Sequence, residues 1–145
     1  MSEHPLGFGV MLSLLSGNKE TVQAHQQARG KTIETLRIDG QANYGSGALV
    51  MRFTDGTGIM VFDDGQSCCE HRYMTTDDDL SGFAGATFLG LELRGSPAGA
   101  TEWGDVHEVQ FLLGHTSLGT FTAETHNEHN GWYGGFAITI RDIED

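Results

Sequence analysis

The chain has 145 residues, with 8 Lys and Arg against 20 Asp and Glu, a formal net charge of −12 and 38% hydrophobic residues. That length supports one sizeable core, which excludes a multidomain enzyme and predicts a single domain over residues 1–145. The few dispersed basic residues leave no footprint for counterion-displacing contact with a phosphate backbone, which excludes a general nucleic-acid binder.

With 21 glycines and 2 prolines, long helices are disfavoured, since each interior glycine costs a helix about 1 kcal/mol. The apolar stretch Leu6 to Leu15 is short, broken by Gly7 and Gly9, and preceded by no Lys or Arg. It reads as neither a signal peptide nor a membrane span, so the expected location is the cytoplasm, of a bacterium or of an infected host cell. A helix is expected from Asn18 through Val22 and Ala28 to a stop at Gly30. Residues 1–30 thus form a helical N-terminal segment ahead of an antiparallel β core over 31–145.

From Lys31 the period changes to two, with Ile33, Thr35 and Arg37 opposite Thr32, Glu34, Leu36 and Ile38, a first strand. The near-repeat Phe53-Thr54-Asp55-Gly56 and Phe62-Asp63-Asp64-Gly65 closes two alternating runs with hairpin-favouring Asp-Gly. With a strand from Cys68 to Thr76 these runs predict a three-stranded meander. Asp77, Asp78 and Asp79 supply capping chemistry for a short helical turn at Leu80. Further strands are expected at Thr87 to Leu93, at Val106 to Leu113, at Leu118 to Thr125 after a turn over Gly114 to Ser117, and at Trp132 to Arg141. In the last strand Trp132, Phe136, Ile138 and Ile140 are expected inward. The predicted fold is mainly β with a minor α part: an antiparallel sheet, small barrel or sandwich of about seven strands with a short N-terminal helix.

Ser67-Cys68-Cys69-Glu70-His71 brings together groups that bind borderline metals or make a nucleophile. Strand alternation puts Cys68, Glu70 and Arg72 on one face and Cys69, His71 and Tyr73 on the other, so only a bulge turns both thiols toward one ion. The adjacent cysteines staple no distant parts of the chain. His107, His115, His126 and His129, with Glu108, Glu124 and Glu128, raise a zinc site with an open position for water. Their His126-Asn127-Glu128-His129 segment is expected in a polar loop, without the one-face geometry of the helical zinc motif. Asp63, Asp64 and Asp77 to Asp79 lack the spacing of a calcium loop. No phosphate loop or nucleophile elbow is present. The aromatic-glycine segments Glu102-Trp103-Gly104 and Asn130 to Phe136 offer flat surfaces for stacking, and Arg72 or Arg94 offers a phosphate partner if either points inward.

Phe53-Thr54-Asp55-Gly56, Cys68-Cys69-Glu70, Asp78-Asp79-Leu80-Ser81-Gly82 and Asn130-Gly131-Trp132-Tyr133 resemble an uncharacterised domain family of bacteriophages and bacteria that carries a Cys-Cys-Glu motif. The resemblance covers about residues 31 to 141. Where members of that family often have a His-containing segment before Cys-Cys-Glu, this chain has Asp63-Asp64-Gly65-Gln66, which weakens a metal reading. The resemblance implies a phage or bacterial accessory protein and brings no established reaction.

The leading expectation is a non-enzymatic, phage-type, homo-oligomeric binding protein without cofactor. It captures a small host molecule such as a nucleotide-like signal, or blocks a host protein, in the manner of a counter-defence factor. Its ligand-binding residues are Cys69, Glu70, His71, Arg72, Trp132 and Tyr133, and no direct nucleic-acid or membrane partner is expected. One competing reading is a zinc-dependent hydrolase with His107, His126 and His129 at the metal and Glu124 or Glu128 as general base. Another is a structural virion or assembly protein, which needs only strand edges and apolar interfaces.

Overall fold

Strand alternation and two tight turns build most of the architecture. A computed structural model describes residues 19–64, 70–95, 99–100, 106–129, 136 and 138–143. Among the described residues, helix α1 (Lys19–Ala28) precedes nine strands: β1 (Ile33–Asp39), β2 (Ala48–Phe53), β3 (Gly58–Asp63), β4 (Glu70–Thr75), β5 (Phe88–Gly95), the two-residue β6 (Gly99–Ala100), β7 (Val106–Thr116), β8 (Gly119–His129) and β9 (Ile138–Asp142). They form two antiparallel sheets, ordered β1-β2-β3-β9 and β4-β8-β7-β5, with β6 also paired to β7. The mainly β fold with a short helix is as the alternation predicts, with nine strands among the described residues where about seven were expected.

The hairpin between β2 and β3 shows why Asp-Gly stands there. Gly56 takes φ +91°, a left-handed conformation that disfavours side chains, and the Asp55 carboxylate accepts from the Thr57 backbone N–H at 2.9 Å. A bond from the Thr57 hydroxyl and then that N–H, with Lys31 close by, hold the Asp55 carboxyl down at about 2. The expected meander ends after this hairpin. β9 takes the place beside β3, and β4 crosses to the second sheet to pair with β8. An ion pair between the sheets, Arg72 Nη1 to Asp63 Oδ2 at 2.7 Å, ties β4 back to β3, with both side chains 3% exposed.

Both sheets contribute to one core, with Leu49, Met51, Phe53, Ile59, Val61 and Ile140 from the first and Leu93, Leu112, Phe121 and Ala123 from the second. An isolated bridge between Thr32 and Thr87 stitches the sheets along one side. Helix α1 places small buried residues, Thr21, Ala24 and Ala28, against this body, at a spacing that lies on one helical face. Thr21 Oγ1 accepts from the Ile140 N–H of β9 at 3.1 Å, and His25 Nε2 accepts from the Leu91 N–H of β5 at 2.9 Å. The helix therefore satisfies backbone donors on two edge strands, which blunts their capacity to pair with another chain. Burial, and then the Arg29 charge, lower the His25 pKa, in keeping with an imidazole that accepts.

Asp79 caps the short turn Leu80–Phe83 by accepting from Ser81 N–H, as the acidic run predicts. The turn expected over Gly114 to Ser117 shrinks to Ser117 and Leu118, because β7 continues through Thr116. No helix among the described residues is long and apolar enough to cross a membrane.

Candidate functional site

The segment His126 to His129, expected in a loop, is strand: it completes β8 and pairs with β4 on one side and β7 on the other. Two partner strands supply its backbone bonds, so its polar side chains stand alternately on the two faces of the second sheet. On the outer face the register aligns His71, Glu128 and His107 in one row, then Tyr73, His126 and Val109, then Thr75, Glu124 and Phe111. On the inner face it aligns Arg72, Asn127 and Glu108, then Met74, Thr125 and Gln110.

The outer face gathers four rings. Tyr73 and His126 stack with centroids 4.4 Å apart and planes 6° from parallel, and the His71 ring lies tilted 4.9 Å from Tyr73. His107 Nε2 and His126 Nδ1 share a hydrogen bond of 3.0 Å, and His126 Nε2 meets Thr75 Oγ1 at 2.9 Å. Tyr73 Oη donates to Glu128 Oε2 at 2.5 Å, while Glu124 Oε1 is 3.8 Å from His126 Nε2. Burial, together with the Glu128 carboxylate that accepts the phenol proton, pushes the Tyr73 pKa up to about 12. Burial is also the main cause that lowers the His126 pKa, helped by His107 and opposed by Glu124 and Glu128. At neutral pH the Tyr73 and His126 rings are thus uncharged, with Glu124 and Glu128 beside them.

The residues named from sequence distribute unevenly over this site. His71 stands exposed on the outer face, beside Tyr73, as alternation predicts. Arg72 points the other way, into the core, where Asp63 engages its guanidinium. Glu70 opens β4 opposite His129. Cys69, Trp132 and Tyr133 lie outside the described residues, as do Cys68 and Trp103. Of the four histidines, His107 and His126 meet, while His115 sits farther along β7 on Glu92, at 2.9 Å. Glu92 accepts from Arg94 and His115, and those bonds lower its pKa.

The facing nitrogens of His107 and His126 are spent on each other, and among the described residues no group of three His, Cys, Asp or Glu side chains is placed to hold a metal ion. Tyr73, Thr75, Gln110 and Thr125 escaped the sequence reading. The signal for Tyr73 and Thr75 was their spacing of two and four from His71. For Gln110 and Thr125 it was a polar residue on the inward phase of an otherwise apolar alternation.

A shallow cleft between Gln27, Lys31, Phe53, Thr57 and Ile143 lies elsewhere, at the Asp55 hairpin. A family model described as Domain of unknown function (DUF7448) matches residues 26–138, from the end of α1 to the first residue of β9. No curated protein and no solved structure matches the chain.

Proposed function

We propose that this chain, which belongs to the DUF7448 family, is a non-enzymatic accessory protein of a bacteriophage or bacterium that engages a basic surface of a host protein through the outer face of its second sheet. The observation that carries this reading is the Tyr73 and His126 stack set between Glu124 and Glu128, on a chain of net charge −12. A guanidinium is the group such a surface suits: it stacks on a ring face while donating two parallel bonds to a carboxylate. Long-range attraction between an acidic chain and a basic groove speeds the encounter, and grooves that normally hold nucleic acid are basic. Homo-oligomerisation would repeat the face; a native mass above the 15.7 kDa of one chain would report it.

Capture of a nucleotide-like signal is the second reading, favoured by the same rings as a platform for a base. Its phosphates need a cation, and Arg72 is committed to Asp63.

Calorimetric titration with oligoarginine and oligolysine peptides of equal length tests the first reading. Oligoarginine should bind about tenfold more tightly, and Tyr73→Ala and Glu128→Gln should each remove that preference. Equal affinities, or an unchanged preference in Tyr73→Ala, would overturn it. Binding of adenosine monophosphate that is lost in Tyr73→Ala would move the weight to the second reading.

A further inference from the structure

The cleft at the Asp55 hairpin has a volume of about 200 Å³, below the roughly 300–1,000 Å³ of drug-sized pockets. It holds about seven waters at their liquid volume, which is the size of a small amino acid. Its floor is apolar, since Ala28, Phe53 and Ile59 are almost fully buried. Ile143 forms one wall, held there by its N–H, which donates to Gly58 O at 2.9 Å. A Cβ at Gly58 would stand 3.3 Å from Ile143 Cδ1, so the glycine lets this wall close up on the sheet. The charged residues of the lining are Lys31, which follows α1, and Asp142, which ends β9. The Lys31 N–H donates to Ala28 O at 3.2 Å and its carbonyl accepts from Phe88 N–H at 2.9 Å, so its backbone is fixed. Lys31 Nζ donates to Thr57 Oγ1 at 2.8 Å, stands 3.2 Å from Asp55 Oδ2 and lies 5.7 Å from the centre of the Phe53 ring. An ammonium has three donors, and Thr57 and Asp55 engage two of them. Asp142 pairs with Ile59, which is two residues, about 7 Å of strand, beyond the Thr57 that anchors the Lys31 head.

We propose that this cleft binds a small aliphatic α-amino acid as its zwitterion, with the carboxylate on the third Lys31 donor, the ammonium on Asp142 and the side chain on Phe53 and Ile59. A simple anion is poorly served, because it would meet Asp55 and Asp142 beside a single cation, on a chain of net charge −12. A simple cation would meet Lys31. A zwitterion sets each of its charges against the opposite one, adds no net charge, and covers apolar floor that is otherwise open to water. Its size matches the volume, whereas a nucleotide is too large for it. The cleft belongs to the first sheet and the end of α1, not to the ring face of the second sheet, so its failure and that of the peptide-binding reading are separate results.

Valine is the probe. Its controls are isovalerate, which lacks the ammonium, isobutylamine, which lacks the carboxylate, and glycine, which lacks the apolar side chain. In nitrogen-15 spectra of the full chain, valine should shift the Gln27 side-chain amide and the Thr57 and Ile143 backbone amides saturably. Each control should bind about tenfold more weakly or worse. Asp142→Asn and Lys31→Gln should each weaken valine about tenfold, while Tyr73→Ala should leave its binding unchanged. Asp142 is exposed, so Asp142→Asn tests the site without touching the core, and the comparison of probes on the wild-type chain stands even if Lys31→Gln fails to fold. Absence of a saturable shift with valine would overturn the proposal. So would a control that binds as tightly as valine, undiminished binding to Asp142→Asn, or loss of binding in Tyr73→Ala.

Discussion

The central strands of the first sheet and the polar end of the second are built on opposite terms. β2 and β3 are apolar at nearly every position, pair in an unbroken register and bury both faces. The rows that start at His71 and Arg72 instead place polar side chains on both faces of β4, β8 and β7, including the Arg72–Asp63 ion pair and the buried Gln110, Thr125 and Asn127 inside the core. Folding alone favours the first pattern, because a buried polar group must recover its lost hydration from a partner. The second pattern is the one expected where a sequence answers to something besides stability, and the candidate site lies on it.

The largest effect should come from breaking the ion pair that joins the two regions. Arg72→Met leaves the Asp63 carboxylate buried and should cost about 3–5 kcal/mol in urea unfolding, whereas adding Asp63→Leu should recover most of it. A neutral Arg72→Met would mean that the polar end is wetter than the burial of both side chains implies. At the apolar end of the second sheet the sensitivity is steric. A Cβ at Gly114 would stand 2.0 Å from Phe121 Cζ, so Gly114→Ala should cost about 1–3 kcal/mol, and Phe121→Leu in the same chain should relieve part of it.

Replacing the strap on β9 is a smaller change. Thr21→Val removes the acceptor of the Ile140 N–H and should cost about 1 kcal/mol, with faster amide exchange at Ile140 as its local signature.

Acidification should act on both the helix strap and the ring stack. The folded-state pKa values of His25 and His126 lie below their ordinary 6.5, so the unfolded chain binds these protons first. Their contribution to stability is whole above pH 6.5 and is lost as pH falls through the lowered folded values. Unfolding midpoints measured across that range should decline, and His25→Gln, which keeps an acceptor without a titrating ring, should flatten part of the decline. A profile unchanged in His25→Gln would assign the whole loss to the ring stack.

Much of the first region was readable in order along the chain. Period-two alternation located β1, β2 and β3, Asp55-Gly56 marked their hairpin, and Asp79 announced its cap. The second region was legible only in part. Alternation placed His71 and Tyr73 together and Arg72 opposite, but the loop assigned to His126 through His129 concealed that these residues have strand partners on both sides. Glycine flanks and polar composition suggest a loop when a strand is judged by its own residues, and here the neighbours supply the backbone bonds. For the same reason zinc chemistry gathered His107, His115 and His126, which the register separates into a pair on β7 and β8 and a distant His115 on Glu92.

The sequence by itself determined the fold class, the helix position and the alternating faces of the strands that it located, β1 to β4 among them. Those follow from local periods and turn chemistry, which need no knowledge of distant neighbours. Only the tertiary structure decided that β4 leaves β3 for β8, that Arg72 is spent on Asp63, and that Tyr73 stacks on His126. Each of these joins residues far apart along the chain or on different sheets, through strand pairings whose gain is realised only after the loops between them have closed.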